Sequence, residues 1–271
     1  MVTPAPHAAP IGVFDSGLGG LTVVQALRTR LPHESIIYVG DTARVPYGPK
    51  SPDTVRRYAR EIADWLVGQG VKAMVVACNT ATAHALPHLR EVLRIPVIGV
   101  VEPGARAAVR EDHDGHIGVI GTEGTIASGA YERAIRAIAP NVTITARACP
   151  LFVPLVEEGW LDCDVTRIVA REYLQPLVDD RVDAVVLGCT HYPLLKPVLR
   201  EILGAGVALI DSAEETASET ARILRETGVE APHGARAALR CAVTDAPDAF
   251  LRQAVRFLGE PLDRVETIAV G

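Results

Sequence analysis

Lysine is nearly missing from this sequence. Of 27 basic residues only Lys50, Lys72 and Lys196 are lysines. Pyridoxal phosphate needs a lysine for its Schiff base. Lys50 sits in YGPKSP, Lys72 just ahead of an apolar run and Lys196 in LLKPVL, and none is well placed for that role, so no cofactor is expected. Cysteine is sparse and odd in number: Cys78, Cys149, Cys163, Cys189 and Cys241, with no Cys-x-x-Cys pair. That argues against a disulfide framework and gives a zinc site little support. No apolar run approaches the roughly 20 residues that cross a bilayer, so no membrane partner is expected. The opening MVTPAPHAAP lacks the basic start and apolar segment of a secretory signal. Residues 1–10 read instead as a flexible tail, and the cytoplasm is the expected compartment. An excess of positive charge is missing too: the net charge is −6, and no nucleic-acid footprint is expected.

The 271 residues, 48% apolar and 22% charged, suffice for one large domain or two small ones with a real core. Self-similarity organises them. IGVFDSGLGGLTV, beginning at Ile11, resembles IGVIGTEGTIASG, beginning at Ile117. VKAMVVACNTATAH aligns with VDAVVLGCTHYPLL, which sets Cys78 against Cys189, and RIPVIGVVEPGARAA aligns with GVALIDSAEETASET. Helical patterns over 51–70 and 164–178 lie between the matched strands, the first opened by a Ser-Pro cap and closed by glycine. Alternating strands and helices predict an α/β fold with mainly parallel sheets flanked by helices. Two repeats predict two similar lobes related by a pseudo-two-fold axis, with the active site in the cleft between them. Residues 1–102 plus 211–271 form the first expected lobe, with a strand over 239–245 returning to it. Residues 103–210 form the second.

Both cysteine motifs stand at strand carboxyl ends, where ligands bind in such sheets. Each is followed by polar residues that open a helix: Asn79 and Thr80 after Cys78, Thr190 and His191 after Cys189. Free N–H groups at a helix start bind carboxylates and lower a thiol's pKa, by a unit or more from its usual ~8.5. Two thiols on opposite faces of one carbon can invert it, one taking a proton while the other delivers one. A Cys-His zinc site drawing on Cys189, His191, Cys78 and Asp15 is a weaker reading, since zinc wants three or four dedicated ligands. GLGG lacks the Lys-Ser/Thr of a phosphate loop and reads as a tight turn that permits close helix packing.

FDSGLGGLTV, YVGDTARVPYG, VVACNTATAHAL, GVVEPGA, IGVIGTEGTI and VVLGCTHYPLL resemble, in order, the motifs of the glutamate racemases, within the aspartate/glutamate racemase superfamily. The likeness runs from about residue 11 to 220. It implies a cofactor-independent racemase that supplies D-glutamate for peptidoglycan, and a homodimer. Carried over residue by residue, it makes Cys78 and Cys189 the acid/base pair, the first acting on D-glutamate and the second on L-glutamate. Asp15 assists Cys78 and His191 assists Cys189, while Asp15, Ser16 and His191 also line the substrate site. Asn79, Thr80 and Thr190 hold the substrate's carboxylate and ammonium. Tyr47 and Gly48 close over it, and Thr122 and Thr125 add hydroxyl contacts. Asp41 and Glu157 match further acidic positions, the first at the substrate and the second in catalysis. A racemase of another small acid and a two-lobed binding protein without catalysis remain the alternative readings.

Overall fold

The computed structural model of the protein describes residues 6–271. The first sheet contains β1 (Ile11–Asp15), β2 (Ile36–Gly40), β3 (Ala73–Val76), β4 (Val97–Gly99), β9 (Leu239–Val243) and β10 (Glu266–Thr267). Their order is β10-β9-β2-β1-β3-β4, and every pairing is parallel. The second sheet, also parallel, contains β5 (His116–Gly121), β6 (Thr143–Ala148), β7 (Ala184–Gly188) and β8 (Ala208–Asp211) in the order β6-β5-β7-β8.

Parallel neighbours need crossover connections, and helices supply them. These are α1 (Leu21–Arg30), α2 (Pro52–Gly68), α3 (Asn79–Val92), α4 (Val101–Glu111), α5 (Glu123–Ala127), α6 (Ala130–Ile138), α7 (Phe152–Glu157), α8 (Asp164–Asp179), α9 (Lys196–Leu203), α10 (Ser212–Glu226) and α11 (Pro247–Leu258). Helices on both faces explain why β1, β2, β3 and β7 are buried along their whole length, in place of the alternation of a half-wet sheet. Each fully buried valine or isoleucine there contributes about 1.5–3 kcal/mol. Local signals set the helix ends. Ser51 Oγ accepts from Thr54 N (3.4 Å) at the start of α2, with Pro52 in the first turn, and Gly70 beyond its end takes φ +76°.

The repeat is visible in the register. Ile11 lies beside Ala73 and Gly12 beside Met74; in the second sheet Ile117 lies beside Ala184 and Gly118 beside Val185. These are the residues that the sequence repeat equates. After β8 the chain crosses on α10, which packs on α1 and α4, and β9 then enters the first sheet beside β2. α4 lies against α6, β7 and β8.

The flexible tail expected over residues 1–10 falls partly outside the described residues, which begin at 6. Residues 6–10 differ from that expectation. Pro6–Ala8 form a 3-10 turn, and the His7 carbonyl accepts from Lys72 Nζ (3.1 Å). Lys72 Nζ also donates to Val229 O (2.8 Å) and pairs with Glu34 Oε2 at 2.6 Å. Three acceptors saturate a buried ammonium, and they fix the segment before β1 to the rest of the first sheet.

Candidate active site

Asp15 ends β1, Cys78 stands two residues beyond β3, and Cys189 follows β7 directly. All three therefore occupy carboxyl ends of central parallel strands. The ends of the two sheets meet. Thr80 Oγ1 lies 2.8 Å from Thr122 Oγ1 and 3.2 Å from Thr125 Oγ1. Thr190 Oγ1 donates to Asp15 Oδ2 (3.4 Å), and Tyr131 Oη donates to Asn79 Oδ1 (2.7 Å). The Gly48 carbonyl accepts from Gly124 N (2.9 Å), which lays the PYG loop against the second sheet.

Cys78 is 6% exposed and caps α3: its Sγ accepts from Ala81 N (3.5 Å) and lies 3.8 Å from Ser16 Oγ. The helix start was expected to lower this thiol's pKa. The structure reverses that. Burial pushes it up to about 12, and the Asp15 carboxylate pushes the same way. The Ala81 N–H and Ser16 pull it down but lose to burial. The Cys189 sulfur also bears on Cys78, which puts the two thiols within electrostatic reach.

Cys189, equally buried, has a different setting. A 3-10 turn, Tyr192–Leu195, follows it, and α9 begins only at Lys196, so the helix start expected beside this sulfur is absent. Proline explains the delay: Pro197 has no N–H to continue an α-helical ladder back through the turn. The partner of Cys189 is instead His191, whose Nδ1 lies 3.9 Å from Sγ. His191 Nε2 faces Glu157 Oε1 at 3.0 Å, and the Phe257 ring packs edge-on at 5.1 Å. Burial opposes the imidazolium, but the Cys189 sulfur and the Glu157 carboxylate outweigh it and raise His191 to about 10. Asp15 is held above the usual carboxylate range by burial, partly offset by His191 and by the Gly17 N–H, which donates to Oδ1 (2.9 Å).

Asp41 does not match its expected place at the substrate. It is fully buried, and its carboxylate is occupied by Arg44 Nε (2.7 Å), Thr244 Oγ1 (2.9 Å) and the Tyr47 hydroxyl. Tyr47, itself buried, in turn directs its hydroxyl to Asp41. Asp41 thus holds the PYG loop in place.

GLGG acts through size. A Cβ on Gly19 would lie 2.1 Å from Thr190 Oγ1 and 2.6 Å from His191 Nδ1; one on Gly20 would lie 2.5 Å from Asp15 Cβ. Sequence reasoning missed Tyr131, Phe257 and Arg256. Arg256 NH1 donates to the Val156 and Glu157 carbonyls (2.9 Å each), which fixes the end of α7 that carries Glu157. No motif marked these residues.

Lys72 pairs with Glu34 and Lys196 with Asp211 Oδ2 (2.8 Å), so both are committed away from the thiols. Among the described residues no three His, Cys, Asp or Glu side chains gather as metal ligands. Among them, too, no helix is long and apolar enough to cross a membrane.

Comparison with known proteins agrees with this geometry. Residues 21–220 match the Asp/Glu/Hydantoin racemase family. The glutamate racemase of Geobacter metallireducens is 54% identical over 260 residues, 96% of each chain. The crystal structure of a glutamate racemase isoform from Bacillus anthracis superposes with a TM-score of 0.93 at 42% identity, covering 97% of this chain and 98% of that one. A glutamate racemase from Francisella tularensis, solved in complex with D-glutamate, gives 0.91 at 38% identity over 97% and 98%.

Proposed function

The chain belongs to the Asp/Glu/Hydantoin racemase family, and we propose that it is a glutamate racemase that inverts the α-carbon with two thiols and no cofactor. The observation that supports this most is the pair Cys78 and Cys189, both buried and on equivalent strand ends of two like sheets.

In the L-to-D direction Cys189, as thiolate, takes the α-proton. The electron pair left on carbon delocalises into the α-carboxylate, and the Cys78 thiol delivers a proton to the opposite face. The reverse direction exchanges the roles. Each thiol carries one proton, so each acts in one sense per turnover. His191, as imidazolium between Cys189 and Glu157, supplies positive charge beside the first sulfur. Asp15 and Ser16 assist Cys78. Asn79, Thr80 and Thr190, with Thr122 and Thr125, bind the carboxylate and ammonium, which replace the threonine–threonine bonds. Tyr47 and Gly48 close over the substrate, and Asp41 supports them.

We divide the chain at the repeats into 1–102 plus 211–271 and 103–210, with the substrate between. The resemblance further supports a homodimer, a cytoplasmic setting and a role in supplying D-glutamate for peptidoglycan. Sedimentation at assay concentration tests the dimer, and a fully active monomer contradicts it.

The function is tested by incubating purified protein with L-glutamate, D-glutamate or L-aspartate, without added cofactor and after dialysis against chelator. Optical rotation of either glutamate enantiomer should decay to zero. Racemisation of aspartate in place of glutamate selects the other-acid reading, and binding without loss of rotation selects the non-catalytic one.

A further inference from the structure

Asn79 opens α3 and is 2% exposed, yet among the described residues its Nδ2 has no hydrogen-bond partner. A buried amide donor without a partner costs about 1–3 kcal/mol, so it marks a place where a ligand completes the bonding. The other end of the same amide is occupied: Tyr131 Oη donates to Asn79 Oδ1 at 2.7 Å. Tyr131 belongs to α6, on the second sheet, so this bond crosses between the two halves of the site.

The phenol O–H is the donor in this bond. It therefore faces the oxygen of Asn79, and the amide's N–H groups turn the other way. Small residues make room for this arrangement. A Cβ on Gly188, at the end of β7, would lie 3.1 Å from Tyr131 Cε2, and one on Gly104 would lie 3.4 Å from Tyr131 Oη and 3.3 Å from Ser212 Cβ. Tyr131 is buried.

We propose that Tyr131 is a positioning residue for substrate binding: its hydroxyl, bonded to Asn79 Oδ1, sets the Asn79 amide with Nδ2 toward the substrate carboxylate. The proposal rests on Asn79 being a substrate ligand. Loss of the hydroxyl frees the amide to rotate, and half of its orientations then present oxygen to an anion. The interaction is made in ground and transition states alike, so its loss appears in KM more than in kcat.

The test is steady-state kinetics in both directions for Tyr131→Phe, Asn79→Ala and the double variant Y131F/N79A, with Tm measured for each. Tyr131→Phe should raise KM for both enantiomers about tenfold, the worth of one oriented buried hydrogen bond, with kcat changed by less than about threefold. In the Asn79→Ala background Tyr131→Phe should add less than about twofold, because the amide it orients is gone. A purely structural tyrosine would lower Tm and leave these KM values and their coupling unmoved. Unchanged KM in Y131F, or effects of Y131F and N79A that multiply, overturns the proposal while leaving Asn79 a ligand. Unchanged KM in N79A overturns the role of Asn79, and the proposal with it.

Discussion

A thiol buried beside a carboxylate resists ionisation, and Cys78 is placed that way by Asp15 and by its position under the start of α3. In the ligand-free protein it is a thiol at neutral pH, raised to about 12. Cys163 contrasts with it: partly exposed, with hydrogen bonds from Thr166 that favour the thiolate and hold it below the usual thiol value. Iodoacetamide should therefore reach Cys163 first. Alkylation of Cys78, followed by peptide mass spectrometry, should rise about tenfold per pH unit between about pH 7 and about pH 10 without levelling. A plateau at neutral pH contradicts the burial argument. His191 gives a second pH signature. Its folded pKa, about 10, lies above its ordinary 6.5, so its contribution to stability is complete below 6.5 and is lost as pH rises toward 10. Across that window Tm of the wild type should fall more steeply than Tm of His191→Asn. Parallel curves remove the Cys189–His191–Glu157 linkage. The same variant should lose kcat, chiefly from L-glutamate.

Among the elements, the turn from β1 into α1 carries the tightest constraint. Gly19 has no room for a methyl group between itself and Thr190 and His191. Gly19→Ala should leave the circular dichroism spectrum intact and displace the loop that carries Thr190 and His191. A displacement near 1 Å in such a site costs about 100-fold in turnover. Full activity in this variant contradicts the close approach. The element scale also marks the limit of the sequence. The repeat put Cys78 and Cys189 on matched strands, and the register of β1 with β3 and β5 with β7 follows the same alignment. The helix after Cys189 was misread because Pro193 and Pro197 displace its start, and the thiol pKa because burial is not local. The bond from Thr244 to Asp41 was not legible because the two are more than 200 positions apart, Thr244 lying in the chain that returns beside β2. Phe257 and Arg256 reach His191 and Glu157 from α11, where nothing in the local pattern separates a core face from a site's support.

At the scale of the whole molecule, the proposed mechanism sets two monoprotic bases on one carbon from opposite sides. The most direct measurement follows the α-hydrogen. L-Glutamate is converted in deuterium oxide, and early product and remaining substrate are separated and analysed by mass spectrometry. The two-thiol mechanism predicts deuterium at the α-carbon of nearly all D-glutamate formed, because Cys78 exchanges its proton with solvent before delivering it, and nearly unlabelled L-glutamate. Substantial retention of the original α-hydrogen in the early D-glutamate contradicts it, since that requires a single base that returns the proton it took.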